Sequence, residues 1–334
     1  MSNRDGPVSF GVLAPTSGVA RQAVIPAILE SSSCRLAAVA SRSDPGGQRS
    51  RPEGVRAHAG YEELLADPAV EAVYIPLPNS MHREWAEASA AAGKHVLCEK
   101  PLAPSAADAS AIAASCRAAG VVLMEAYMSP FHPRSRAIAE IARSGELGPL
   151  LFGTAAFTGV LDREDDYRWR PEMGGGALLD VGIYCLSPLL QAAGIRPAEA
   201  GAVHVGAAAA HYTDRGVDAS FAGWLDFGAG TTASFQCSAE APERQLLELV
   251  GTEAALSVER PFTPSYEDVT IDIRRRDGAV DQVTTAGGDP YLGMVDHFCD
   301  VVRGRSSPER PPEDSIGLAE LIDRLAAVAR QQPG

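Results

Sequence analysis

The chain is poor in positive charge. Its 29 lysines and arginines face 43 aspartates and glutamates, a formal net charge of −14 over 334 residues. A nucleic-acid binder needs a basic face to displace counterions, so this balance argues against that partner class. It disfavours anionic membrane surfaces for the same electrostatic reason. No apolar run is read as long enough to cross a bilayer, which takes about 20 residues. The polar segment Met1 to Pro7 leads straight into a strand, which speaks against a signal peptide. Cysteine is scarce and scattered: Cys34, Cys98, Cys116, Cys185, Cys237 and Cys299 form no C-x-x-C pair. They are expected to be reduced, buried small hydrophobes of a cytoplasmic protein. The seven histidines show no H-E-x-x-H or Cys/His ligand spacing, so a metal site finds no support. Neither a G-x-S-x-G elbow nor a P-loop occurs.

What is present fits a globular protein with two cores, at 46% hydrophobic and 22% charged residues. Val8–Leu13, Leu36–Ala40, Val70–Ile75, His95–Glu99 and Val121–Glu125 read as short apolar strands. Helical spacing at Gly18–Ser31, Tyr61–Ala66, His82–Ala92 and Ser105–Ala119 separates them. This alternation predicts an α/β fold: a Rossmann domain over 1–126 with a doubly wound parallel sheet. After a helix near Arg134–Ser144, eight strands between Leu150 and Thr284 are interrupted only by a helix at Ala177–Ala193. Helices at Tyr291–Val302 and Asp314–Gln331 close the chain. Residues 127–334 are therefore expected to form an α+β domain with a largely antiparallel open sheet. Ser43–Arg56, rich in Gly, Pro and Arg, reads as a loop.

A doubly wound sheet takes ligands at the carboxyl ends of its strands. The first turn here, Gly11 to Ala20, is not G-x-G-x-x-G. Ala14, Pro15, Thr16, Ser17, Gly18 and Val19 are still small enough for a backbone approach to a pyrophosphate at a helix N-terminus. An ordinary strand–helix turn is the competing reading. The second strand ends at Ser41-Arg42, where NAD enzymes place a carboxylate on the ribose 2′-hydroxyl. A serine and an arginine would instead bind a 2′-phosphate, which favours NADP(H) over NAD(H). The bland alternative is a solvated arginine.

Three stretches carry chemistry. They are Tyr74-Ile75-Pro76-Leu77-Pro78-Asn79-Ser80-Met81-His82, the run Gly93 to Pro101 ending Glu99-Lys100-Pro101, and Gly174-Gly175-Gly176-Ala177-Leu178-Leu179-Asp180-Val181-Gly182-Ile183-Tyr184. Lys100 follows the fourth strand, where an ammonium can bind a reacting oxygen and stabilise developing charge. Asp180 and Tyr184 are spaced i, i+4 and share a helix face. A tyrosine titrates near pH 10 unless a cation such as Lys100 lowers it, so the two residues make joint sense as an acid/base couple. A solvated lysine and a packed tyrosine are the competing structural readings.

Together these stretches resemble the glucose–fructose oxidoreductase/inositol dehydrogenase/rhizopine-catabolism (Gfo/Idh/MocA) family over nearly the whole chain. The resemblance implies hydride transfer between NADP(H) and a sugar-type ketone or secondary alcohol, with Lys100, Tyr184 and Asp180 catalytic. It also implies cofactor contacts from Pro76, Leu77, Pro78, Asn79, His82, Glu99, Lys100, Trp169 and Tyr291. Tyr127, His132 and Arg168 are expected beside the substrate with Lys100, Asp180 and Tyr184. For His132 a core position is the alternative, and for Tyr291 a packing role at a helix start. Gly174–Tyr184, Leu249-Val250-Gly251 and Val258-Glu259-Arg260-Pro261-Phe262-Thr263-Pro264 are similar to sugar 3-ketoreductases, which implies a nucleotide-linked keto sugar. Aldose or trans-dihydrodiol dehydrogenases of the family are the nearest alternative, and a redox-inert dinucleotide-binding regulator is the alternative outside catalysis. The resemblance further implies a homodimer or homotetramer built through the C-terminal sheet.

Overall fold

Six short strands, most of them apolar on both faces, form the first sheet. In a computed structural model, which describes residues 6–42, 44, 51–263 and 265–331, these are β1 (Val8–Leu13), β2 (Cys34–Ala40), β3 (Arg56–His58), β4 (Ala72–Ile75), β5 (His95–Glu99) and β6 (Leu123–Ala126). All residues of β1, β4 and β6 are buried, as a parallel sheet covered on both sides requires. The strands lie in the order β3-β2-β1-β4-β5-β6, all parallel. The order reverses between β1 and β4, which makes a crevice at their carboxyl ends. The helices of this layer are α1 (Ile25–Glu30), α2 (Tyr61–Ala66), α3 (His82–Ala91) and α4 (Ala106–Ala119). Gly11 lets α2 approach β1: a Cβ there would stand 2.6 Å from Leu64 Cδ2. Half of Ser43–Arg56 lies outside the described residues, and its last residue opens β3, a strand the sequence did not reveal.

The remaining strands form an eight-stranded sheet. They are β7 (Leu150–Val160), β8 (His204–Tyr212), β9 (Asp218–Gly228), β10 (Thr231–Ser238), β11 (Glu240–Gly251), β12 (Ala254–Glu259), β13 (Val269–Arg275) and β14 (Val280–Thr285), in the order β14-β13-β12-β11-β7-β10-β9-β8. Every pair is antiparallel except β7 with β10. β9 and β12 alternate buried and accessible residues, so one face is core and the other open. The remaining helices are α5 (Pro133–Ser144), α6 (Ile183–Ala192), α7 (Pro290–Val302) and α8 (Pro312–Arg330). α6 packs on β7 and β10 through Ile183, Tyr184, Leu186, Leu189 and Leu190. Each aliphatic side chain so buried stabilises by about 1.5–3 kcal/mol.

Two compact units result, neither continuous in sequence. One comprises 1–103, 107–128 and 290–313, and the other 104–106, 129–289 and 314–334. α7 thus belongs with the parallel sheet although it follows the last strand of the other one. One expectation is corrected. Pro171–Ala192 is long and apolar enough to span a bilayer by length and composition. Half of its apolar part is buried in the second unit's core, and it carries Asp180, so the stretch reads as a core helix.

Candidate active site

In the first unit the turn after β1 is tied to the end of β2 by the Ala14 N–H donating to Ala40 O at 2.8 Å. Ala14 adopts φ +46, a left-handed conformation that favours glycine. The methyl is the smallest side chain that can stand there, which keeps the backbone approachable. Ser17 caps the following helix, its Oγ accepting from Ala20 N–H at 3.2 Å. The expected single helix from Gly18 contains a π stretch at Ala20–Val24. Ser41, buried beside this turn, accepts from the Asp44 N–H at 3.1 Å. The Arg42 guanidinium lies 5.4 Å over the Tyr61 ring, with Nη2 3.6 Å from Met81 Sδ. Among the described residues no carboxylate pairs with it. An uncompensated cation at the end of β2, next to an approachable turn, fits the 2′-phosphate of NADP(H).

Lys100 directly follows β5, half-buried, and its bond to Pro101 is cis. Beneath it the buried Glu99 accepts from the Tyr74 hydroxyl at 2.6 Å and from the Lys100 N–H at 3.1 Å. Burial pushes the Glu99 carboxyl up; the Tyr74 hydrogen bond and the Lys100 charge pull it back only in part. Tyr74 is held well above the usual tyrosine range, by burial first and then by Glu99 and by nearby Tyr291. Tyr291, in the first turn of α7, therefore sits near the same cluster. Lys94, the only other lysine in the sequence, is buried and donates from Nζ to Asp67 O at 2.8 Å and Val70 O at 2.7 Å.

Pro76, Leu77, Pro78 and Asn79 form the turn after β4 at the crevice, with Asn79 4% exposed. His82 does not fit the expected cofactor contact. It is fully buried, with Nδ1 2.9 Å from Pro101 O and Nε2 2.8 Å from Leu77 O, so both ring nitrogens are committed to backbone. Tyr127 is also buried, with the Arg310 guanidinium 4.8 Å from its ring centroid.

The second unit holds the other predicted residues. The glycine run folds under the helical turn Tyr167–Trp169. A Cβ on Gly175 would stand 2.3 Å from Arg168 O, and one on Gly176, at φ +118, 2.1 Å from Asp218 Oδ1. Only glycine permits this path. It leads into a π stretch, Leu178–Gly182, that carries Asp180 and continues into α6 with Tyr184. Asp180 Oδ2 lies 3.0 Å from Arg168 Nε, and Arg168 Nη1 lies 3.2 Å from Asp166 Oδ1. Two carboxylates therefore orient Arg168, which was expected beside the substrate. Trp169, at the end of the same turn, is partly exposed. The Tyr184 ring is 8% exposed, meeting Phe157 edge-on at 5.5 Å and Phe262 at 6.4 Å. His132 is a core residue after all. Its Nδ1 accepts from Arg134 N–H at 3.1 Å as the N-cap of α5, and Nε2 meets Ser265 O at 2.9 Å.

Asp218, which sequence reading missed, accepts from the Leu178 N–H at 2.7 Å and so caps the helix bearing Asp180 and Tyr184. Burial raises its pKa from 3.8 to about 6. A raised folded-state pKa means that the folded chain takes up protons. This contribution to stability is complete below pH 3.8 and is lost as pH rises through about 6. The rise corresponds to about 3 kcal/mol. Thermal unfolding from pH 4 to 8 is expected to show this downward contribution for the wild type and a flatter curve for Asp218→Asn.

Tyr74, Glu125, Arg310, Phe157 and Phe262 complete the surroundings of the predicted residues; Tyr74 and Phe262 lie within stretches already singled out, whereas Glu125, Arg310 and Phe157 carry no local motif. The predicted set therefore divides, with the dinucleotide turn, Ser41, Arg42, Glu99, Lys100, Tyr127 and Tyr291 in one unit and Asp180 and Tyr184 in the other.

Comparisons with known proteins agree with this geometry. Residues 16–127 match the Gfo/Idh/MocA oxidoreductase family with its NAD-binding Rossmann fold, and residues 135–257 match that family's C-terminal domain. D-xylose 1-dehydrogenase (NADP(+)) 2 of Haloferax volcanii is 36% identical over 95% of both chains. The dTDP-3,4-didehydro-2,6-dideoxy-alpha-D-glucose 3-reductase of Streptomyces antibioticus is 34% identical, covering 96% of this chain and 97% of its own. Among solved structures, a 3-ketoreductase from Actinomadura kijaniata in complex with NADP and TDP-benzene is 29% identical. It covers 97% of this chain and 98% of its own, with a TM-score of 0.86. With a reversed six-stranded parallel sheet, a Glu-Lys-Pro run at the end of β5 and matches along both units, the chain belongs to the Gfo/Idh/MocA oxidoreductase family.

Proposed function

We propose that the protein is an NADP(H)-dependent keto-sugar reductase acting on a nucleotide-linked 3-keto sugar. The observation that carries this reading is the packing of Phe262 against Tyr184. Phe262, which belongs to the stretch that resembles the 3-ketoreductases, thus lies beside the proposed acid. Bound NADPH supplies the hydride. Lys100, on the rigid end of β5, holds the substrate oxygen and stabilises charge developing on it. Tyr184 gives that oxygen its proton, and Asp180, fixed by Arg168, positions the pair. Ser41 and Arg42 hold the 2′-phosphate, the turn 14–19 the pyrophosphate, and Pro76–Asn79, Glu99, Trp169 and Tyr291 border the nicotinamide half. Tyr127 lines the sugar side.

The pairing of Lys100 with Tyr184 has support from the Actinomadura enzyme, of which a lysine-to-alanine and a tyrosine-to-phenylalanine variant have been solved. The lysine and tyrosine replaced there have the same separation along the chain as Lys100 and Tyr184. The open face of the eight-stranded sheet, which exposes Trp224 at 40% and Phe152 at 43%, suits a homodimer or homotetramer. Six buried free thiols suit a reducing, cytoplasmic setting.

The test is a panel of nucleotide-linked keto sugars, free aldoses and dihydrodiols with NADPH, NADH and their oxidised forms, followed by nicotinamide absorbance. Turnover of the keto sugars with NADPH is expected, and Arg42→Ala should erode the preference for NADPH by tenfold or more. Turnover of aldoses alone would move the reading to an aldose dehydrogenase, which the 36% identity to a xylose dehydrogenase favours. Dinucleotide binding without any turnover would move it to a regulator.

A further inference from the structure

The three residues that follow β5 are each held through the backbone by a buried ionisable side chain, one from β5 itself, one from α3 and one from β6. Glu99 accepts from the Lys100 N–H at 3.1 Å, a His82 ring nitrogen lies 2.9 Å from Pro101 O, and Glu125 accepts from the Leu102 N–H at 2.8 Å. Glu125, at the end of β6, is buried, and a buried carboxylate needs a counter-charge. Arg310 supplies it, with Nε 2.8 Å from Glu125 Oε2 and both side chains under a tenth exposed. The same guanidinium lies over the Tyr127 ring. Arg310 comes from far along the chain, in the loop between α7 and α8, and belongs with β5 and β6 to the first unit.

We propose that Arg310 is a positioning residue: through Glu125 and the Leu102 N–H it fixes the backbone that presents Lys100, and through its face it fixes Tyr127. Arg310 touches no reacting atom; its ion pair holds the Glu125 carboxylate in place, so the amide of Leu102 has one orientation. The inference deepens the assignment of Lys100 above and rests on it for its catalytic consequence, but not for its structural one.

The test compares two double variants that both remove the buried charges. Arg310→Met/Glu125→Gln keeps an acceptor for the Leu102 N–H, whereas Arg310→Met/Glu125→Leu does not. Amide hydrogen exchange of the peptide around Leu102 is expected to stay within threefold of wild type in the first and to rise tenfold or more in the second. The turnover number should follow, retained within threefold in the first and down at least tenfold in the second, with the KM for NADPH changed less than twofold in both. Equal exchange and equal turnover in the two variants would overturn the proposal, as would single Arg310→Met with unaltered exchange at Leu102. Should the leucine variant fail to fold, the glutamine variant alone decides, since loss of protection at Leu102 there contradicts the proposal. The exchange measurement needs no substrate, so it stands even if Lys100→Met proves harmless and the function assigned to that lysine falls.

Discussion

Lys100→Met is expected to lower kcat by about 10²–10³-fold, the loss typical of removing one donor to an oxygen that gains charge in the transition state. The thioether keeps the length and most of the bulk of the side chain but cannot donate. The backbone bonds to Glu99, His82 and Glu125 do not involve the ammonium, so the fold of the loop should persist. NADPH affinity should change little, because Ser41, Arg42 and the 14–19 turn carry the phosphate contacts on the proposed reading. Single-turnover rates with a keto sugar, alongside a fluorescence titration with NADPH, separate the two effects. An unaltered rate would remove Lys100 from the chemistry, and a parallel collapse of NADPH affinity would make it a cofactor ligand instead. There is also an internal consequence. The Lys100 charge lowers the Glu99 pKa, so in the variant that carboxyl is expected to move still higher.

Tyr184→Phe is the second large effect. General acid catalysis contributes about 10²–10⁴-fold, and the substitution removes only the hydroxyl. The ring keeps its edge-on packing against Phe157 and its contact with Phe262, so stability should hold and the whole loss should fall on kcat. The sign with pH follows from the role. In reduction the phenol must be protonated, so wild-type activity declines as pH rises through the tyrosine's pKa, and in the phenylalanine variant that alkaline limb disappears. A variant that is slower by less than threefold, or one that keeps the alkaline limb, would assign the proton to another group. Lys100→Met and Tyr184→Phe combined are expected to cost less than the sum of the two, since both act on one oxygen.

The alternation of apolar strands with helices made the parallel sheet legible, because strands buried on both faces read as short continuous apolar runs. β3 was not legible. It is three residues long, with no fully buried position, and only its pairing with β2 makes it a strand. The parallel pairing of β7 with β10 was equally hidden, since period-two alternation does not distinguish a parallel partner from an antiparallel one. Lys100, Asp180 and Tyr184 stood out because short motifs surround them. His82 and His132 were misread for one common reason. A histidine in a motif carries no mark of whether its nitrogens face a ligand or, as here, the chain's own carbonyls and amides. The ion pairs of Arg168 were not legible either, because Asp166, two residues before it, and Asp180, twelve after it, carry no mark that they converge on it. Arg310 gave no signal at all. Its partner Glu125 is distant in sequence, and only the return of 290–313 to the first unit joins them.

The scarcity of lysine gives the protein a chemical address. Of two ε-amines in the whole sequence, that of Lys94 is locked between two carbonyl oxygens in the first unit's core. Arginine does the remaining cationic work and does not react with acylating reagents under mild conditions. An amine-directed fluorophore or crosslinker would therefore have Lys100 as its principal side-chain target, with the α-amino group as the competing one. Protection of that single position by dinucleotide or sugar becomes a direct occupancy readout, obtained without engineering a handle into the chain.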